Sequence, residues 1–279
     1  MDKEKIPVLR QKALEIREDI VRTSRDCVEG VHIGGSLSLA EILAVLFFEV
    51  ARIDPQNPNW PARDRIVLSK GHGNAGFAAA MARRGFFPLE ELNRFDMLDA
   101  PLSMHVDKHR MPGVEISSGS LGHGLPVSVG MALSGMLDKA TWRVYCILGD
   151  GELMEGSVWE AVMSAGHYKL DNLTAIVDRN RFSLDGPTEE IMSLEPLADK
   201  FRDFGWFVLE VDGHDVESLL EAFQASSEKG KPKVIIASTV KGKGVSFLEN
   251  KTSSHFARLK PEQAEQALAE IAQAREQKH

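Results

Sequence analysis

Residues 147–156 read ILGDGELMEG: an apolar run stops at Asp150, which stands between two glycines, and a carboxylate-rich segment then opens a helix. The run belongs to WRVYCIL (142–148), and four more stretches share its character: RIVLS (65–69), LTAIVD (173–178), WFVLEV (206–211) and KVIIAS (233–238). Near-continuous apolar runs of this length are the pattern of strands buried on both faces. Helical patterns lie between and beside them, at 124–138, 156–169, 195–204 and 215–228. The alternation predicts an α/β fold with a mostly parallel central sheet and helices on both faces.

Ahead of the first strand, Leu9, Ala13, Ile16, Ile20 and Val21 recur at helical spacing and predict a helix within 8–29. SLAEILAVLFFEV carries Ser38 and Glu41 in the order of a capping box, which predicts a second helix starting there. The last segment, 261–277, is rich in Ala, Glu and Gln and reads as a surface or interface arm. No repeat or Pro/Ser-rich linker divides the chain. The expectation is one domain over residues 1–279, with an N-terminal helical segment and a C-terminal helical arm from about 260 to 277.

Composition narrows the function. The 279 residues, 43% hydrophobic and 27% charged, are enough for a sizeable core. The formal net charge of −8 argues against nucleic acid or an anionic membrane as the main partner. It leaves room for a local basic pocket. Cys27 and Cys146 each stand in an apolar-periodic segment and read as buried, reduced thiols. The longest apolar run, LAVLFFEVA, is too short to span a bilayer and carries a glutamate, and the charged first residues do not resemble a signal peptide. These features predict a soluble cytoplasmic protein.

In open parallel sheets, ligands bind beyond the carboxyl ends of the strands, where Asp150 is expected. Its flanking glycines let backbone approach a ligand, and the helix start that follows offers free N–H groups to an anion. Two readings fit: a tight turn whose aspartate caps the helix, or a carboxylate joined to a phosphate through a Mg²⁺ ion. The next βα unit, LTAIVDRNRFSLDG, favours the second, because Asn180 just beyond its strand can complete the ligand set of a hard cation.

G-D-G followed roughly thirty residues later by an asparagine that closes an apolar strand resembles the thiamine-diphosphate binding motif. The flanking segments GDGELMEGSVWEA, NRFSLDG, PGVEISSGSLGHG and VKGKGVSFLENK resemble the N-terminal, diphosphate-binding half of transketolase, from about Glu15 to about His255. The resemblance implies the thiamine-diphosphate-binding fold. It also implies that Asp150, Asn180 and the Phe182 carbonyl hold Mg²⁺, or another divalent cation such as Ca²⁺ or Mn²⁺. That metal would fix the diphosphate against Gly151, with Gly119, Ser120 and Leu121 cradling the cofactor.

Nine histidines are present, and four stand in family motif positions. The resemblance implies that His72 and His255 contact the diphosphate and that His32, His105 and His255 face sugar oxygens. His105 would read the C1 hydroxyl of a ketol donor, which 2-oxo acid substrates lack. Proton traffic at hydroxyls near neutral pH suits imidazole. Glu155 and Glu160 match glutamates of a carboxylate chain that crosses the family's dimer interface; solvated charges in a helix's first turns are the plainer reading. Lys241 and Lys243 read as an anion-facing loop or an exposed turn. His109, His123, His167, His214 and His279 read as structural. Two departures from the family stand out: His123 where glutamine is usual, and Phe256 where a glycine usually follows His255.

The resemblance stops short of the family's pyrimidine-binding and C-terminal domains. It therefore implies a split transketolase, in which a C-terminal subunit completes the active site on sugar phosphate substrates, in an α2β2 heterotetramer. An exposed apolar surface is expected where that partner docks. The competing expectations are the α subunit of a 2-oxo acid dehydrogenase, a 1-deoxyxylulose-5-phosphate synthase, and a non-catalytic scaffold.

Overall fold

The computed structural model describes residues 4–226 and 229–276. Five strands, β1 (Arg65–Leu68), β2 (Val144–Gly149), β3 (Leu173–Arg179), β4 (Phe207–Asp212) and β5 (Lys233–Ser238), form one sheet in the order β1-β2-β3-β5-β4. Every pairing is parallel. The helices are α1 (Lys5–Asp26), α2 (Ile33–Leu37), α3 (Ala40–Val45), α4 (Asn74–Arg84), α5 (Gly124–Leu137), α6 (Gly156–His167), α7 (Thr188–Ile191), α8 (Leu197–Asp203), α9 (Val216–Gln224) and α10 (Pro261–Glu276).

The alternation of side chains along the strands builds two cores. On one face Tyr145, Ile147, Ile176 and Ile235 pack with residues of α1, α3, α4 and α9. On the other, Val144, Cys146, Leu148, Val177 and Ile236 pack with residues of α5, α6 and α8. Buried strands must therefore be apolar at successive positions, as the sequence of β2, β3 and β5 is. The expectation fails for β4. It lies at the sheet edge, and none of its residues is fully buried. Its Glu210 and Asp212 are tolerated because strand order, which hydrophobicity does not reveal, left one side open.

The capping box at Ser38 is not formed. The N-cap of α3 is Leu39, and both polar residues turn inward. Ser38 Oγ donates to Asp178 Oδ2 at 2.6 Å, and Glu41 pairs with Arg17. Burial gives each a stronger partner than a helix end would. A π-helical turn over Leu46–Val50 ends this helical stretch.

α10 lies along α1, burying Ala264, Ala267 and Ile271, with Arg275 bonded to Glu18 at 2.7 Å. The expected helix ends at 227–228 and 277, and His279, fall outside the described residues. Just before α10, an antiparallel bridge joins Val31 to Ala257 and ties the first helical layer to the segment that follows β5. Both cysteines are free and buried. No helix among the described residues is long and apolar enough to cross a membrane.

Candidate active site

A cavity of about 290 Å³ opens at the carboxyl ends of the strands. Asp150 follows β2, Asn180 and Phe182 follow β3, His72 follows β1, and Lys241 and His255 follow β5; all line it, together with His32, His105, Gly119, Leu121 and Gly151. The structure thus gathers ten of the residues singled out in the sequence, along with Lys241. Ser120 is exposed and not part of the lining, and Glu155 and Glu160 are exposed on the start and first turns of α6. A larger polar hollow of about 540 Å³ lies at the opposite end of the sheet, beside Arg143, Asn172 and Lys233. The Lys233 ammonium there is taken up by carbonyls of Ala222, Phe223 and Ala225, and none of the motif residues reaches it.

One wall is a set of oxygen donors. Asp150 Oδ1 accepts from Gly151 N at 2.8 Å, and Oδ2 from Arg181 N and, at 3.1 Å, from Arg179 Nη1. Burial, then the charge of Asp178, pushes the Asp150 carboxyl up to about 6. Asn180 Nδ2 donates to Asp178 Oδ2 at 3.2 Å, and Asn180 Oδ1 accepts from Phe182 N at 3.1 Å. Because a carboxylate can only accept, the Asn180 amide orientation is fixed. A Cβ placed on Gly151 would lie 3.3 Å from Ser183 and 4.0 Å from the Phe182 carbonyl oxygen, so this wall is drawn tightly together.

The residues present fit a hard cation with a diphosphate. A buried carboxylate whose charge is disfavoured, an amide oxygen and a backbone carbonyl are ligands of that class, and the remaining positions suit phosphate oxygens. No cluster of three His, Cys, Asp or Glu side chains spaced for a metal occurs among the described residues. A one-carboxylate site is of a different kind.

The opposite wall is imidazole. His32 is 5.6 Å from His72, 5.5 Å from His105 and 5.3 Å from His255, ring centre to ring centre. Burial, then neighbouring positive groups, pushes His32 and His255 down to about 4, and His72 well below its ordinary value. These rings are neutral near pH 7, free to accept or donate a proton in hydrogen bonds. His32 Nδ1 is buried and has no partner among the described residues, so a ligand oxygen would satisfy it. The Phe256 ring meets His32 edge-on at 5.0 Å.

Lys241 resolves its two readings: it is 2% exposed, with Nζ 2.9 Å from Ser183 O and 3.2 Å from His255 Nδ1. Lys243 instead stands outside, 3.6 Å from Glu249.

Buried polar residues that the sequence reading missed hold these walls. Lys70 pairs with Asp178 and donates to Gly35 O at 3.0 Å. Thr239 also bonds Asp178, and despite its burial the Lys70 ammonium holds the Asp178 carboxyl below the usual carboxylate range. Glu152 accepts from Ser69, from Gly149 N at 3.1 Å and from Gly122 N at 3.0 Å, clamping the Gly-rich loop to the β1 and β2 ends. The available signal was a lone Asp in the apolar run LTAIVD and a Lys directly after RIVLS. Of the histidines read as structural, His123 is exposed with Nδ1 3.1 Å from Leu121 O, and His214 is bonded to Glu41.

Comparison with known proteins places this arrangement. Residues 12–277 match the family described as transketolase, thiamine diphosphate binding domain. A 6-deoxy-6-sulfo-D-fructose transketolase subunit from a Clostridium species is 47% identical, the match covering 86% of this chain and 88% of that protein. An apulose-4-phosphate transketolase subunit from Actinobacillus succinogenes is 41% identical over 94% of this chain and 95% of that one. Neither is named as a 2-oxo acid dehydrogenase. Campylobacter jejuni transketolase superposes with a TM-score of 0.87 at 31% identity, covering 98% of this chain but 43% of that longer one. The chain belongs to the transketolase family and corresponds to its N-terminal, thiamine-diphosphate-binding domain.

Proposed function

We propose that this chain is the N-terminal subunit of a two-chain transketolase, acting as one diphosphate-binding domain with a C-terminal subunit that supplies the pyrimidine-binding and C-terminal domains. The observation that carries the reading is a single cavity with an Asp150–Asn180–Phe182 oxygen wall facing four histidines. The relatives named as subunits, matched over nearly their whole length, support the two-chain arrangement. Val127, Met136, Leu137 and Met163 on α5 and α6, and Leu184, Ile191 and Met192 beside the cavity, are exposed apolar side chains of the kind a partner covers. An α2β2 assembly in the cytoplasm is the arrangement proposed.

In this reading Asp150, Asn180 and the Phe182 carbonyl hold Mg²⁺, with Gly151, His72, His255, Lys241 and the 119–121 loop around the diphosphate. When bound there, thiamine diphosphate would supply the nucleophilic carbon that transfer of a two-carbon ketol unit from a ketose to an aldose requires. His32, His105 and His255 orient the sugar and hold or pass protons at its hydroxyls, as imidazoles can. Glu155 and Glu160, exposed in this chain, are assigned to the contact with a second copy. The substrates are sugars with a terminal phosphate or a sulfonate, the two chemistries present in the names of the relatives.

The test is titration of thiamine diphosphate with Mg²⁺ into this chain, alone and mixed with the transketolase C-terminal chain encoded beside it. Tight binding and ketol transfer only in the mixture are expected. Turnover by this chain alone, or no binding in either sample, would overturn the reading.

A further inference from the structure

The turn from β4 to α9, Asp212-Gly213-His214-Asp215, lies at the carboxyl edge of the sheet outside the cavity, and its histidine has no task in the chemistry proposed for the site. The turn is pressed against the segment that follows β5. Gly213 N donates to Ser238 O at 2.8 Å, and a Cβ on Gly213 would stand 2.4 Å from Thr239 Cγ2. Asp215 caps α9 through Glu217 N and Ser218 N, which fixes where the preceding ring points.

His214 is bonded at both nitrogens. Nδ1 lies 2.9 Å from Glu41 Oε2, and Nε2 lies 2.8 Å from Val240 N. A backbone N–H can only donate, so Nε2 accepts, and the proton of the neutral ring sits on Nδ1 and goes to Glu41. Burial would raise the Glu41 carboxyl, but Arg17 and His214 outweigh it and hold it at about 2. Glu41 receives Arg17 in a two-bond fork, both bonds 2.5 Å, and Arg17 Nε continues to Lys243 O at 3.1 Å. The three side chains therefore begin and end on one short stretch of backbone. Val240 is fastened at one side and Lys243 at the other, and Lys241 lies between. Gly242 N, donating to Gly34 O at 3.0 Å, fastens the same stretch to α2.

We propose that His214, acting with Glu41 and Arg17, is a positioning residue that seats Lys241 in the cavity by pinning the backbone of residues 240–243. The proposal rests on reading the cavity as a diphosphate site, in which Lys241 is a cation facing the anion. A lysine side chain has four rotatable bonds to order on meeting a ligand, and a backbone already held in place spares the complex the further cost of ordering the chain that carries it. Lys241 Nζ then needs only its contacts with Ser183 O and His255 Nδ1 to be aimed. His214 itself does not line the cavity, so its effect on a ligand has to pass through the segment it holds.

The first measurement is amide hydrogen exchange in the full chain. His214→Ala should speed exchange across 240–244 about tenfold or more, while β5 is unchanged. Unchanged exchange in 240–244 would overturn the proposal. The second is thiamine diphosphate and Mg²⁺ titration of the two-chain complex as a double-mutant cycle. His214→Ala should weaken binding about tenfold in the native background and leave it unaltered when Lys241→Met is already present. An equal loss in both backgrounds would make His214 a general stabiliser and overturn the positioning role. His214→Gln, whose amide can both donate to Glu41 and accept from Val240, should recover part of the affinity and serves if the alanine variant does not fold. If the native complex binds no cofactor, the diphosphate reading fails, and the exchange measurement alone decides whether His214 pins the segment.

Discussion

Lys70 and Asp178 form an ion pair in which neither side chain reaches solvent, at 1% and 0% exposure. Both lie at strand ends, and Asp178 also receives Ser38, Thr239 and Asn180, so one carboxylate organises the wall beneath the oxygen donors. Removing either partner strands a buried charge. Lys70→Met or Asp178→Ala alone should cost about 3–5 kcal/mol in urea unfolding, and the double variant clearly less than the sum. Simple additivity would show that the two charges are not coupled.

Asp150→Ala should abolish Mg²⁺-dependent cofactor binding, weakening it about a hundredfold or more, and Asn180→Ala should follow it. Isothermal titration with and without EDTA reads this directly. Retained affinity in the Asp150 variant would remove the metal assignment from this wall.

His105→Ala should lower kcat/KM for the ketose donor by about 10²–10⁴ while cofactor affinity changes little. The comparison separates a residue that faces the sugar from one that holds the diphosphate. Equal loss of both would argue against a sugar-facing role.

Acid should weaken the empty protein before it reaches the ordinary carboxylate range. His32 and His255 are held down at about 4, and His72 well below its usual value, while the unfolded chain titrates near 6.5. Between those values the unfolded state binds more protons, so stability complete above pH 6.5 falls as pH drops toward 4. The slope is up to about 1.4 kcal/mol per pH unit for each ring. Asp150, raised to about 6, works the opposite way below that pH and offsets part of the loss. Urea unfolding from pH 7.5 to 4.5 measures the sum. Replacing His32 with Asn should flatten the curve, and an unaltered slope would exclude that ring as a contributor.

Gly122→Ala should destabilise by about 1–3 kcal/mol. Gly122 has φ +78°, and a Cβ there would stand 2.5 Å from Ser157 Oγ and 2.7 Å from Glu155 Cβ. The same change at exposed Gly130, where a Cβ meets nothing within 4 Å, is the control and should cost nothing.

The sheet and the strand-end placement of Asp150 and Asn180 were legible in the sequence, while the four histidines were picked out by the resemblance of their motifs. Apolar runs and the polar residues that terminate them are local signals. Ser38 and Glu41 were misread because a capping box and two buried polar groups share one spacing; only the chain folded over them, bringing Asp178 and Arg17, separates the cases. Lys70 and Glu152 stayed hidden for the same reason, since their partners lie on other segments. The edge position of β4 depends on strand order, which no run of residues encodes.

The bridge between Val31 and Ala257 sets a constraint on synthesis. His32 and His255 flank it from opposite ends of the domain, and Lys241 belongs to the late end. A ribosome that has released the first four strands has not yet made the fifth, and the imidazole wall still lacks a member. The emerging chain by then carries Asp150, Asn180 and three of the four histidines, and the pocket closes around a ligand only when the segment through His255 has left the ribosome.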